Sequence, residues 1–132
     1  MKISFHGAAR TVTGSKHMIT LKTGNKYLLD CGMFQGLGKQ TDDLNREWGF
    51  EPSEVGCLIL SHAHIDHSGL IPKLVKDGFR GPIYGTPATL DLACILLEDS
   101  AEIQNNDNGR SKDNSPGEQP LYSIRHVEEA IA

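Results

Sequence analysis

An α/β fold is the class this sequence predicts, and three observations predict it. Short apolar runs punctuated by glycine fill the first half, the pattern of strands and tight turns. After residue 68 the apolar spacing changes to the three-and-four spacing of helices. Strand-like and helix-like segments then alternate, which is the order of a sheet with helices packed on it. The length of 132 residues suits a single domain over 1–132.

Each element has its own justification. Ile3-Ser4-Phe5 alternates as a strand does. Lys16 to Leu21 and Lys26 to Leu29 are apolar-rich runs around Lys22-Thr23-Gly24-Asn25, which predicts a β-hairpin. Cys57 to Leu60 is a short continuous apolar run, which predicts a strand buried on both faces. Ser68 to Gly78 predicts one helix, with Leu70, Ile71, Leu74 and Val75 on its inner face, Pro72 in the first turn and Gly78 as the stop. Pro82-Ile83-Tyr84 predicts a strand. Thr86 as N-cap and Pro87 at the first helical position open a helix that should run to about Gln104, with Leu90, Cys94, Leu97 and Ala101 inward. Residues 105–119 hold no large apolar side chain, which predicts a mobile loop. A last short helix should start at Ile124 behind Ser123 as its cap.

Composition narrows the function classes. A hydrophobic fraction of 38% with 23% charged residues is that of a soluble globular protein. The net charge of −4 and the scattered basic residues argue against a strongly basic nucleic-acid-binding module. Leu92 to Leu97, the longest apolar stretch, is too short to span a bilayer, so no membrane partner is expected. No apolar stretch follows Met1 that would make a secretory signal. Cys31, Cys57 and Cys94 are odd in number and lack a C-x-x-C pair, which predicts reduced thiols and a cytoplasmic protein.

The chemistry concentrates in SHAHIDHSG, residues 61–69. On a helix, residues 62 and 64 would point about 200° apart. On an extended segment they face the same side. The expected setting is a strand end running into a loop, so His62 and His64 can converge there, and Asp66 and His67 can swing toward a neighbouring point. Imidazole nitrogen and carboxylate oxygen suit zinc, manganese or iron. Two pairs of such ligands suggest two metals, which generate hydroxide near neutral pH and clamp the oxygens of a displaced group. A lone histidine at a strand end would be structural. Three with an aspartate, buried without a strong partner, would cost several kcal/mol.

SHAHIDHSG resembles the signature motif of the metallo-β-lactamase-fold hydrolases. ISFHGAARTVTGSKHMI, YLLDCGMFQG and TPATLDLACILLEDSAEIQ are similar to the β-CASP branch of that superfamily, the RNA-processing nucleases, and the resemblance covers essentially the whole chain. It implies the N-terminal half of an αββα sandwich, a mixed β-sheet with helices on one face. It implies that His62 and His64 ligate a first metal and Asp66 and His67 a second, with Asp66 also orienting or deprotonating the attacking water. Asp30, at the end of YLLD, would lie beneath the metals as an orienting group. Two zinc ions, or manganese, would fill a complete site, and a metal-bound hydroxide would cleave the phosphodiester bonds of RNA.

The family's second half supplies a further histidine, a bridging aspartate and a last histidine. These 132 residues contain no matching motif, and His126 reads as a solvated helix histidine. The expectation is therefore partial or absent metal occupancy and weak or no activity for this chain alone. An apolar half-interface would be completed by the missing C-terminal half or by self-association. Two other functions fit the same residues: hydrolysis of a thioester, lactone or lactam, and a non-catalytic half-sandwich that dimerises around one structural ion or none. The glycines at 32, 36 and 38 do not form a dinucleotide-binding loop. Trp48 with Phe50 reads as an anchor, not a base-stacking platform.

Overall fold

Five short strands lie side by side in chain order: β1 (Lys2–Phe5), β2 (His17–Thr20), β3 (Lys26–Leu29), β4 (Cys57–Ile59) and β5 (Ile83–Tyr84). The first two pairings are antiparallel and the last two parallel, so the sheet is mixed, as expected. The computed structural model describes residues 1–110 and 120–132. The hairpin between β2 and β3 closes through Gly24, whose φ of +90° is one that side-chain-bearing residues rarely adopt. Helix α1 (Gln40–Arg46) and a 3-10 turn (Pro52–Glu54) lie between β3 and β4.

Between β4 and β5 the sequence predicts one helix, and the structure has two. A single turn, α2 (Ile65–Ser68), precedes α3 (Ile71–Lys76). They do not merge because Leu70 gives its N–H to Cys31 O at 2.9 Å and Pro72 has none to give. Gly78, at φ +124°, ends α3 where expected. Helix α4 spans Pro87–Arg110, with Thr86 Oγ1 accepting from Thr89 N at 3.3 Å at its start. Residues 105–110, expected to open a loop, continue this helix. A helix nucleated by its packed first turns extends at little cost without further apolar residues. The remainder of the expected loop, 111–119, lies outside the described residues. Helix α5 (Ile124–Ile131) begins behind Ser123, whose backbone N–H donates to His126 Nδ1 at 3.0 Å.

Alternation along the strands divides the sheet into two unlike faces. Met18, Leu28 and Leu58 turn to one face and are at most 3% exposed, packed with Leu74, Leu97 and Val127 from the helices and Leu70 from the turn between α2 and α3. The stripe of α4 that packs inward is Ala93, Leu97 and Ala101, with Leu90 and Cys94 half-buried at its edge. The other face carries Ile3 and Phe5 of β1, Ile59 of β4 and Tyr84 of β5, all exposed, with Phe5 at 67%. The registers place Phe5, His17, Leu29, Ile59 and Tyr84 in one row across all five strands. Strand β4 was expected to be buried on both faces. Ile59 is 41% exposed because the helices cover one side only.

Candidate metal centre

The parallel strands β3 and β4 end at the same edge of the sheet, and their ends build the site. Asp30 directly follows β3, and Ser61 and then His62 follow β4 after Leu60. Asp30 N donates to Ile59 O at 2.9 Å, so the two strand ends are stitched together. His62 and Ala63 are non-helical, His64 is the N-cap of α2, and Asp66 and His67 lie within that single turn. The short helix holds its shape through His67 N and Ser68 N, which both donate to His64 O, at 2.8 and 2.9 Å. Ser68 Oγ adds a bond of 2.7 Å to Ala63 O.

Three of the four expected ligands converge. One ligand atom each from His62, Asp66 and His67 lies within 4.8 Å of the others. The His62 and His67 rings are 3.9 Å apart between centroids, and His67 Nε2 is 3.5 Å from Asp66 Oδ2. His64 stands beside the group, not in it. It is exposed and sits edge-on to the His62 ring at 5.1 Å. The sequence pairs His62 with His64 and Asp66 with His67; the structure draws His62 toward the second pair.

Asp30 lies beneath these groups. It is 4% exposed, and its Oδ2 accepts from His67 Nδ1 at 2.8 Å. An ionised carboxylate only accepts, so His67 carries its hydrogen on Nδ1 and presents a lone pair on Nε2, the nitrogen nearer Asp66. Two imidazoles and a carboxylate, one ring oriented by a buried carboxylate on its far nitrogen, make a donor set that fits a divalent cation.

The turn is held by two neighbouring segments. Ser15 N donates to Asp66 O, Cys31 N to His67 O and Met33 N to Ile65 O, at 2.9, 2.8 and 3.0 Å. A Cβ on Gly32 would lie 1.6 Å from Asp66 O, so only glycine permits this approach. Lys16, one of the scattered basic residues, is 1% exposed and ties the two segments together. Its Nζ donates to Gly14 O at 3.0 Å and Gly32 O at 2.7 Å and sits 4.3 Å from the centre of the Phe34 ring. Burial pulls the Lys16 ammonium down to about 8, with the nearby Cys31 sulfur opposing. Burial pushes the Cys31 thiol up to about 12.

The expected anchor falls as the sequence suggests. Trp48 donates to Asp77 Oδ2 at 2.7 Å and lies under the Lys73 ammonium, an anchor of α3. His126, expected as a solvated helix histidine, is instead half-buried in the first turn of α5, where its Nδ1 accepts from Ser123 N at 3.0 Å.

Comparison with known proteins places the chain in a family. The family model described as the metallo-beta-lactamase superfamily matches residues 17–88, more than half of the chain and all of the cluster. The ribonuclease TTHA0252 of Thermus thermophilus is 43% identical over 99% of this chain and 27% of its own length. Transcription termination factor FttA of Cenarchaeum symbiosum is 30% identical over 89% of this chain and 17% of its own. The cleavage and polyadenylation specificity factor subunit 3-II of Arabidopsis thaliana is 29% identical over 92% and 19%. The chain thus spans about a quarter of the first relative's length and less of the others'. Human tRNase Z, short form, aligns in shape with a TM-score of 0.46 at 24% identity, over 76% of this chain and 40% of that one. With the signature matched by the family model, the chain belongs to the metallo-beta-lactamase superfamily, and the relatives that match its flanking segments are named as a ribonuclease, a transcription termination factor and a polyadenylation factor subunit.

Proposed function

We propose that this chain carries the first ligand cluster of a metal-dependent ribonuclease, with His62, His64, Asp66 and His67 as ligands of two zinc ions per complete site. The observation that carries the proposal is the convergence of His62, Asp66 and His67 above the Asp30 carboxylate. Divalent ions held there would supply Lewis acidity toward a phosphoryl oxygen and a water that ionises near neutral pH. The protein's own groups have separate tasks. Asp30 holds His67 by its Nδ1 hydrogen, which leaves the Nε2 lone pair as the atom that would ligate an ion. The Asp66 carboxylate, 3.5 Å from that nitrogen, orients the attacking water or takes its proton. The turn carrying both is clamped by Ser15, Cys31 and Met33 through backbone hydrogen bonds, so the ligands are positioned before an ion arrives.

RNA is favoured as substrate over a thioester, lactone or lactam because the relatives that match nearly the whole chain are named as a ribonuclease and as transcription termination and polyadenylation factors. The uncovered sheet face supports completion by a second layer, supplied by further chain or by a second copy. With only part of the ligand set, the 132-residue chain should hold zinc weakly and cleave RNA slowly. The reduced cysteines, two of them buried, suit the cytoplasm. Among the described residues no helix is long and apolar enough to cross a membrane.

The test is a degradation assay on a chain extended to the length of the relatives, comparing RNA with thioester, lactone and lactam substrates. Preferential RNA cleavage that Asp66→Asn and His67→Ala abolish supports the proposal. RNA left intact while one of the esters or the lactam is hydrolysed refutes it. The non-catalytic reading requires that none of these substrates is turned over.

A further inference from the structure

Asp30 and Ser61 share a set of hydrogen bonds whose protons can be counted. The Asp30 carboxylate receives three donors: Ser61 N on Oδ1 at 2.7 Å, Ser61 Oγ on Oδ2 at 2.7 Å, and His67 Nδ1 on Oδ2 at 2.8 Å. The same Ser61 oxygen lies 3.1 Å from His62 Nδ1. A hydroxyl has one hydrogen to donate and two lone pairs to accept with. Because an ionised Asp30 can only accept, the Ser61 hydrogen goes to Oδ2. Ser61 Oγ can then only accept from His62. His62 Nδ1 must carry the ring hydrogen, and its Nε2 is left with the lone pair. One buried carboxylate thereby sets two imidazoles, His67 directly and His62 through a serine. His64 is not part of this set.

We propose that Ser61 is a positioning residue of the cation site, relaying the Asp30 carboxylate to His62 and holding Nε2 of that ring ready as the ligand atom. The role rests on reading His62, Asp66 and His67 as a cation site, and it adds what fixes the first of them. An outer partner of a metal-binding imidazole is worth roughly 10–100-fold in metal affinity. Ser61 contacts Asp30 across 31 positions of sequence, so the relay exists only because β3 and β4 end together.

The test uses long-range proton–nitrogen NMR correlations on the metal-free chain, at a pH where imidazoles are neutral, followed by titration with cobalt(II). In the unmodified chain His62 and His67 should both carry hydrogen on Nδ1. Ser61→Ala should move the His62 hydrogen toward Nε2, leave His67 unchanged, and weaken cobalt(II) binding roughly 10–100-fold. Ser61→Thr, which keeps the hydroxyl, should restore both. A general loss of packing would not select His62 over His67 or be rescued by threonine. If Ser61→Ala fails to fold, the unmodified chain and the threonine variant still decide. His62 carrying hydrogen on Nε2 in the unmodified chain overturns the relay. So does a folded alanine variant with unchanged tautomer and affinity. If the unmodified chain binds no cobalt(II), the cation site itself fails, and the role of Ser61 toward it fails with it.

Discussion

At the residue scale, the chemistry of this chain depends on a few buried polar groups whose partners are distant in sequence. His62, Asp66 and His67 were legible because their spacing sits at a strand end within six positions. Asp30 was legible only through the resemblance of YLLD to a family segment. Ser61 and Lys16 were not legible as structural groups. A serine before a histidine and a single lysine in a strand are ordinary surface residues until the fold places Asp30 and Gly32 against them, 31 and 16 positions away. Lys16 supports a pH prediction with a definite sign. Its folded value of about 8 lies below the ordinary 10.5, so between those values the unfolded chain binds more protons and stability rises with pH. Cys31 acts oppositely: held at about 12 in the fold against 9.0 outside it, its thiol makes stability fall with pH above 9. The Lys16 gain should therefore show between pH 8 and 9, approaching about 1 kcal/mol, and be offset above that. Urea unfolding across this range should show the rise in the native sequence and not in Lys16→Met. A rise of equal size in that variant would remove Lys16 as its source.

At the element scale, the helix ends were readable where capping chemistry marked them and unreadable where long-range bonds set them. Thr86, Gly78 and Ser123 mark ends that the structure keeps. Helix α1 left no signal: QTDDLNR offers only Leu44 as an apolar side chain, and it is exposed. That helix is held by Asn45, whose side chain accepts from Phe34 N at 2.7 Å and donates to Phe34 O at 3.0 Å. The break between α2 and α3 was hidden for the same reason, since Cys31 O captures the Leu70 N–H from outside the segment. The most sensitive contact between elements is Gly32 against the carbonyl of Asp66. Gly32→Ala must push the ligand-bearing turn away from the β3 end, at a cost of at least about 2 kcal/mol. Chemical denaturation should show that loss together with weaker cation binding. An unchanged unfolding midpoint would mean that the turn moves aside freely.

At the scale of the whole molecule, one face of the sheet is finished and the other is not. The helix-covered face holds the core of Met18, Leu28 and Leu58, while Ile3, Phe5, Ile59 and Tyr84 face solvent on the opposite side. Exposed apolar rows of this kind favour association. The α/β class and the mixed sheet were legible from the sequence. The uncovered apolar face was legible only through the family resemblance, because a strand's own pattern does not say which layers its neighbours provide. Sedimentation should show concentration-dependent self-association, and Phe5→Lys with Tyr84→Lys should shift the chain to monomer. A monomer at high concentration in the native sequence would contradict this. The central claim is that the ends of β3 and β4 gather Asp30, His62, Asp66 and His67 into part of a cation site. Calorimetric titration of the purified chain with zinc tests it most directly. Saturable binding is expected, weaker than in a four-ligand structural site, and Asp66→Asn and His67→Ala should each abolish it. Binding of undiminished strength in both variants, or none in the native chain at millimolar zinc, would contradict it.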